Sequence, residues 1–134
     1  MGSKKKETAE KRKEARKSRY IARLRNYPTS PRKMRLVADM VRGMRVEDAL
    51  HTLKHAPQYA AKPMHKLLLS AIANWQVKNE GERMEEANLY IKYVMVDSAR
   101  ILKRIQPRAQ GRANRILKRS NHVTIELGSK INQA

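Results

Sequence analysis

Between Asp97 and Glu126 lie 28 residues without one acid, and they hold eight cations: Arg100, Lys103, Arg104, Arg108, Arg112, Arg115, Lys118 and Arg119. Cations with no carboxylate beside them bind anions. Arg in particular presents a planar fork that matches two phosphate oxygens at once. A second cluster, Arg32, Lys33 and Arg35, follows Ser30-Pro31. That pair predicts a helix start, with Ser30 as N-cap and Pro31 at the first helical position. Cations in a first turn oppose the helix dipole, whereas a bound phosphate reverses the sign. The plain alternative for this cluster is ordinary surface charge.

The whole chain repeats the bias. Its 134 residues carry 31 Lys and Arg against 12 Asp and Glu, a formal charge of +19. Solubility asks for far less. Such a domain repels itself until a polyanion neutralises it. Nucleic acid does so with release of its condensed counterions. An anionic membrane would want a basic amphipathic helix with bulky apolar anchors. The chain has no Phe, and its one Trp, Trp75, falls in a helix that reads as core.

Other chemistries find little support. There is no Cys, which excludes disulfides, thiol catalysis and cysteine-ligated metals. No stretch approaches the ~18 apolar residues of a membrane span. Met1 to Lys6 reads as neither a secretory signal nor a myristoylation site. Asp39, Asp48 and Asp97 stand isolated, with no Gly-rich phosphate loop and no nucleophile elbow. His51 and His55 have a zinc-chelating spacing, but the metalloprotease Glu and a third ligand are missing. The expectation is no catalytic residue, no cofactor and no metal.

The elements that must position the cations follow from periodicity. Residues 1–18 form a polar, basic N-terminal extension, a tail or a frayed helix. Residues 19–134 form a single domain. Tyr20 to Tyr27 reads as a strand, with Tyr20, Ala22 and Leu24 on one side and Arg23 and Arg25 on the other. In the helix after Ser30, Leu36, Val37, Met40, Val41 and Met44 keep helical spacing, and Gly43 offers the stop. Val46, Ala49, Leu50 and Leu53 stripe a second helix. A third is expected from Pro57 to about Asn79, its stripe Ala60, Met64, Leu67, Leu68, Ala71, Ile72 and Trp75. Four acids between 80 and 88 mark a loop facing away from the polyanion.

From Leu89 the period becomes two, with apolar residues on both sides, which predicts a central strand. Val123, Ile125 and Leu127 alternate with Thr124 and Glu126. Pairing the two runs gives one long hairpin over about 97–126, with Asp97 near Glu126. Each arm then measures roughly 45 Å at ~3.3 Å per residue, against a radius of gyration of about 14 Å for such a domain. The arms must project, with Pro107 to Gly111 as the tip. A flexible basic loop that orders on binding would point to the same partner. The fold class is α+β: three helices on a small antiparallel sheet, a long protruding basic β-hairpin and a basic N-terminal tail. The five Tyr are scattered and read mostly as core, so recognition should be of RNA shape and phosphate, not base stacking. A DNA-binding architectural arm is the rival, and phosphate chemistry barely separates the two.

Ser30-Pro31-Arg32-Lys33-Met34-Arg35-Leu36-Val37-Ala38-Asp39-Met40-Val41-Arg42-Gly43 resembles the signature helix of the universal large-subunit ribosomal protein twenty-two family. Three further blocks agree in order. They are Ser70 to Asn74, Lys103 to Ala109, and Gly111 to Ile116 running into Lys118-Arg119-Ser120-Asn121-His122-Val123. The resemblance spans about residues 20–127, is of bacterial type, and the N-terminal extension is similar to that of Bacteroidetes members. One departure is Asp97-Ser98-Ala99 at the hairpin base, where bacterial members usually read Asp-Glu-Gly.

The resemblance implies a structural constituent of the large ribosomal subunit, cytoplasmic and on the ribosome, that binds the large-subunit rRNA and supports assembly. Implied rRNA-binding residues are Arg23, Arg25, Ser30, Arg32, Lys33, Arg35, Arg42, Arg100, Lys103, Arg104, Arg108, Arg112, Arg115, Lys118, Arg119 and His122. The implied tip, lining the nascent-peptide exit tunnel near the macrolide-binding region, is Gln106, Pro107, Arg108, Ala109, Gln110, Gly111 and Arg112. Partners implied are the rRNA, neighbouring ribosomal proteins and the nascent polypeptide, with no membrane and no homo-oligomer.

Overall fold

In the computed structural model, which describes residues 2–83 and 86–129, the order of elements is α1 (Gly2–Lys17), β1 (Tyr20–Tyr27), α2 (Pro31–Val41), α3 (Val46–His55), α4 (Ala61–Lys78), β2 (Tyr90–Ser98), β3 (Leu102–Pro107), a 3₁₀ turn (Ala109–Gly111), β4 (Ala113–Lys118) and β5 (Asn121–Gly128). The class is α+β as expected, with four helices rather than three. The N-terminal extension is the additional one, a helix whose described side chains are all exposed.

β1, β5 and β2 form an antiparallel sheet in that order. The central strand is therefore β5, not β2. Its partner β1 lies about a hundred residues upstream, and local alternation carries no sign of that pairing. β2 is an edge whose first residues are covered. Gly43 donates to the Ile91 carbonyl, Ile91 to that of Met44 and Val46 to that of Leu89, at 3.0–3.1 Å. Gly43, at φ +76°, turns the chain out of α2 to reach this edge.

A bulge explains the apolar character of both sides of β2. Ile91 faces Leu127, but Tyr93 faces Glu126, so Lys92 is the extra residue. Ile91 and Val94 consequently point inward together, while Tyr93 and Met95 point out, 50% and 48% exposed. The register also corrects the hairpin. Asp97 pairs with His122 and not near Glu126. The ladder continues through the departure from the family pattern, where Ala99 donates to the Ser120 carbonyl at 2.9 Å.

The core lies between one sheet face and α2, α3 and α4. All seven expected stripe residues are buried, six of them in α4 and Ala60 just before it, with Trp75 only 1% exposed. The helix itself begins at Ala61 rather than Pro57, because Gln58 to Ala60 form a turn in which Ala61 donates to the Gln58 carbonyl. In α2 the buried stripe is Pro31, Met34, Val37, Ala38 and Val41. Leu36 and Met40 keep helical spacing on an outer shoulder and are exposed. Asn121 is buried too, and its Nδ2 donates to the Thr29 carbonyl at 2.6 Å, tying the start of β5 to the turn before α2.

Candidate nucleic-acid interface

Beyond Ala99 and Ser120 none of the described helices packs on β3 or β4. Residues 102–115 are all exposed, and β3 pairs only with β4. The pairing makes a pattern that composition does not reveal. Leu102 faces Lys118, Lys103 faces Leu117, Arg104 faces Ile116 and Ile105 faces Arg115. Each rung joins one cation to one apolar side chain. Successive residues point to opposite faces, so Arg104 and Lys118 lie on one face and Lys103 and Arg115 on the other. Like charges never oppose directly, which would destabilise the ribbon. Each face thus offers cations and apolar side chains together.

The tip is closed by its own backbone. Arg108 donates to the Arg112 carbonyl at 2.8 Å, and Arg112 to that of Ala109 at 3.3 Å. Gln110 and Gly111 supply the left-handed conformations, φ +61° and +70°. Arg108 Nη2 also donates to Gln106 Oε1 at 3.3 Å, which orients that guanidinium along the tip.

At the base of the arm stands α2. Arg32, Lys33 and Arg35 are exposed on its first turns. Arg35 donates from Nε and Nη2 to the Val96 carbonyl, 3.4 and 3.2 Å away. Ser30 precedes the helix as expected, but its hydroxyl makes no cap; its carbonyl accepts from the Met34 N–H at 3.1 Å. Arg42 is engaged by Asp39 at 3.0 Å. It therefore differs from Arg32, Lys33 and Arg35, which among the described residues face no carboxylate at ion-pair distance.

The sheet face away from the helices is open, and it brings Arg23, Arg25 and His122 around one depression with Met95, Asp97 and Thr124. A bulge in β1 at Asn26, φ +52°, frees the Asn26 N–H, which donates to His122 Nδ1 at 3.0 Å. That bond makes Nδ1 the acceptor, so the neutral ring carries its hydrogen on Nε2. At the far end of the face Glu126 is buried beneath Arg19, their charged atoms 3.3 Å apart. Glu126 thus adds little negative charge to the face, whose exposed carboxylate is Asp97 at the rim of the depression.

Sequence reasoning missed Tyr93, Met95 and the neighbouring Lys92, since a bulge leaves no mark in a period-two pattern. It also took Tyr59 for core, whereas that ring is 69% exposed beside Lys33 and Leu36. His51 and His55 stack, with ring centroids 6.2 Å apart. Among the described residues no group of three or more His, Cys, Asp or Glu could hold a metal ion. No helix among them is long and apolar enough to cross a membrane.

A family model described as ribosomal protein L22p/L17e matches residues 22–128, from β1 to the end of β5. The chain belongs to that family. Its relatives include proteins named large ribosomal subunit protein uL22. That of Flavobacterium psychrophilum is 59% identical over 129 residues, 96% of this chain and 94% of the relative. That of Christiangramia forsetii is 57% identical over 132 residues, 98% of each. That of Bacteroides fragilis is also 57% identical over 132 residues, 98% of this chain and 96% of the relative. Membership makes the chain a structural ribosomal protein, not an enzyme. These alignments include most of α1, which the family model leaves out.

Proposed function

We propose that the chain is a structural component of the large ribosomal subunit whose body seats on the large-subunit rRNA through α2 and the open sheet face. The arm, residues 99–120, runs between RNA segments and supports subunit assembly. Its tip, Gln106 to Arg112, lines the nascent-peptide exit tunnel and faces the growing polypeptide. Neighbouring ribosomal proteins complete its surroundings, and one copy suffices, on cytoplasmic ribosomes.

The observation that carries this reading is the arm itself. An exposed two-stranded ribbon is marginal in water. This one has a cation and an apolar group on each of its first four rungs and no acid. Its ordered state is favoured where phosphates cover both faces. The relatives' names supply the assembly.

The test replaces Lys103 to Lys118 by an Asn-Gly turn. The body should melt near the parent, because the arm buries none of the core. Reconstituted large subunits should take up the variant poorly, or carry it with an altered macrolide response or altered stalling of particular nascent chains. Unchanged assembly and unchanged tunnel behaviour would move the function to α2 and the sheet face. Preferential retention on duplex DNA over large-subunit rRNA would favour the architectural DNA reading.

A further inference from the structure

Helix α1 lies outside the interface described so far. From Lys4 to Lys17 its largest apolar side chains are Ala9 and Ala15, and every residue is exposed. Its root is nevertheless fixed. Lys78 Nζ donates to the carbonyls of Lys17 and Arg19, at 2.9 and 2.7 Å. An ammonium at a helix C-terminus suits the dipole. Arg19, two residues on, is held by Glu126. The helix thus leaves the body from a defined point.

Its charges are unevenly placed. Neighbours on a helix surface stand three and four residues apart. Glu7 has Lys4 and Lys11 at those positions, Glu10 has Lys6 and Lys13, and Glu14 has Lys11 and Lys17. Lys5, Arg12 and Arg16 have no acid there. Around them stand Thr8, Ala9 and Ala15. At ~100° per residue these three cations fall within about 40° of arc, and at ~1.5 Å rise they span about 16 Å. One ridge of α1 is therefore uncompensated cation over small residues, and the acids keep to another side.

A helix of this length is marginal alone, and Arg12 with Arg16 adds like-charge repulsion at four residues' separation. Among the described residues no apolar partner relieves it. The helix has no seam for a groove or coiled coil and no anchor for a membrane. A row of anionic oxygens does. We infer that the Lys5–Arg12–Arg16 ridge docks on the phosphate backbone of double-helical RNA, with the Glu7–Glu10–Glu14 stripe turned to solvent. The inference rests on the ribosomal reading above. The A-form major groove is too deep and narrow for side chains to read, so the contact is to backbone and indifferent to sequence. Thr8, Ala9 and Ala15 allow the phosphates close approach.

The test uses the full chain and large-subunit rRNA of Flavobacterium johnsoniae, source of a relative 57% identical to it. Affinity is measured across salt concentrations for the parent, for K5Q/R12Q/R16Q and for E7Q/E10Q/E14Q. The cation variant should lower the slope of log affinity against log salt by about 2–3, at ~0.9 per lost phosphate contact. The acid variant should keep the slope and bind as tightly as the parent or tighter. A photoreactive residue in place of Ala9 should crosslink to RNA in reconstituted subunits. A parent-like slope for the cation variant overturns the inference, as does crosslinking only to a protein, which would mean an acidic protein partner. The body variant R32Q/K33Q/R35Q separates the two levels. If it loses affinity while the α1 variant does not, the inference about α1 fails alone. If neither loses affinity, the RNA reading of the body fails as well.

Discussion

Arg35, on α2, and Val96, near the end of β2, are joined by two hydrogen bonds from one guanidinium to one carbonyl, 3.4 and 3.2 Å long. The bonds hold the basic helix against the strand that leads into the arm. Two of the five guanidinium N–H groups are used; the others remain for phosphate. Among the described residues Arg32 and Lys33 make no such bond. On the proposed reading Arg35 is both a strut and a phosphate ligand, while Arg32 is a ligand only.

That difference is measurable. Arg35→Ala should cost about 0.5–1.5 kcal/mol of stability in urea, the scale of a hydrogen bond, and should also flatten the salt dependence of RNA binding. Arg32→Ala should change stability by less than ~0.5 kcal/mol, as surface substitutions do, and flatten the salt dependence equally. Identical urea midpoints for Arg35→Ala and the parent would show that the strut contributes nothing.

Trp75 tests the body. It is the largest fully buried side chain and packs in the cluster between α4 and the sheet. Trp75→Ala should cost roughly 3–5 kcal/mol, through lost burial and the cavity left behind. Val77, two residues on and 73% exposed, is the control. Val77→Ala should shift the midpoint by less than ~0.5 kcal/mol.

These two residues also mark what was legible in the sequence. α4 buries a wide stripe, so a 3.6-residue period placed six of its seven core positions, missing only Ala61 at its start, with Val77 off the stripe. α2 buries a narrower one, and Leu36 and Met40 lie beyond its edge, where spacing alone does not separate shoulder from core. β2 was misjudged because the bulge at Lys92 moves Tyr93 and Met95 outward. The site was legible as chemistry, since eight cations without an acid need no fold to be noticed. Its division into two faces was not, because the rungs depend on a register that neither charge nor hydropathy records. α1 left no apolar signal at all, since none of its described side chains enters the core.

Tyr27 supplies a pH prediction. Its phenol is held above its ordinary value near 10 by hydrogen bonding with Tyr59, and further by burial. The folded state then binds more protons than the unfolded one as pH rises past ~10. The associated stability is present below that pH and is lost as pH climbs through the raised folded value. Ultraviolet titration should show one tyrosine ionising late. Tyr59→Phe should bring it back toward the ordinary value, and a titration curve unchanged by Tyr59→Phe would remove Tyr59 as the cause.

The arm's rungs give the last prediction. Lys103 and Arg115 lie on one face, Arg104 and Lys118 on the other, each beside apolar neighbours. If phosphates cover both faces, K103Q/R115Q and R104Q/K118Q should each lower the salt slope of rRNA binding by roughly two. A ribbon with one face on RNA and the other on the tunnel lumen would respond to only one of the pairs. The apolar members of the rungs should behave differently again. Ile105 is 72% exposed, so Ile105→Ser should leave the melting of the free protein within ~0.5 kcal/mol of the parent. If RNA covers the same side chain in the assembled subunit, its loss should slow incorporation without changing the salt slope, since it releases no counterion. Charge and burial are thereby separated on adjacent residues of one strand. A salt slope that moved with Ile105→Ser would mean the substitution had displaced the cations around it. The rungs would then act as one unit and not as independent contacts.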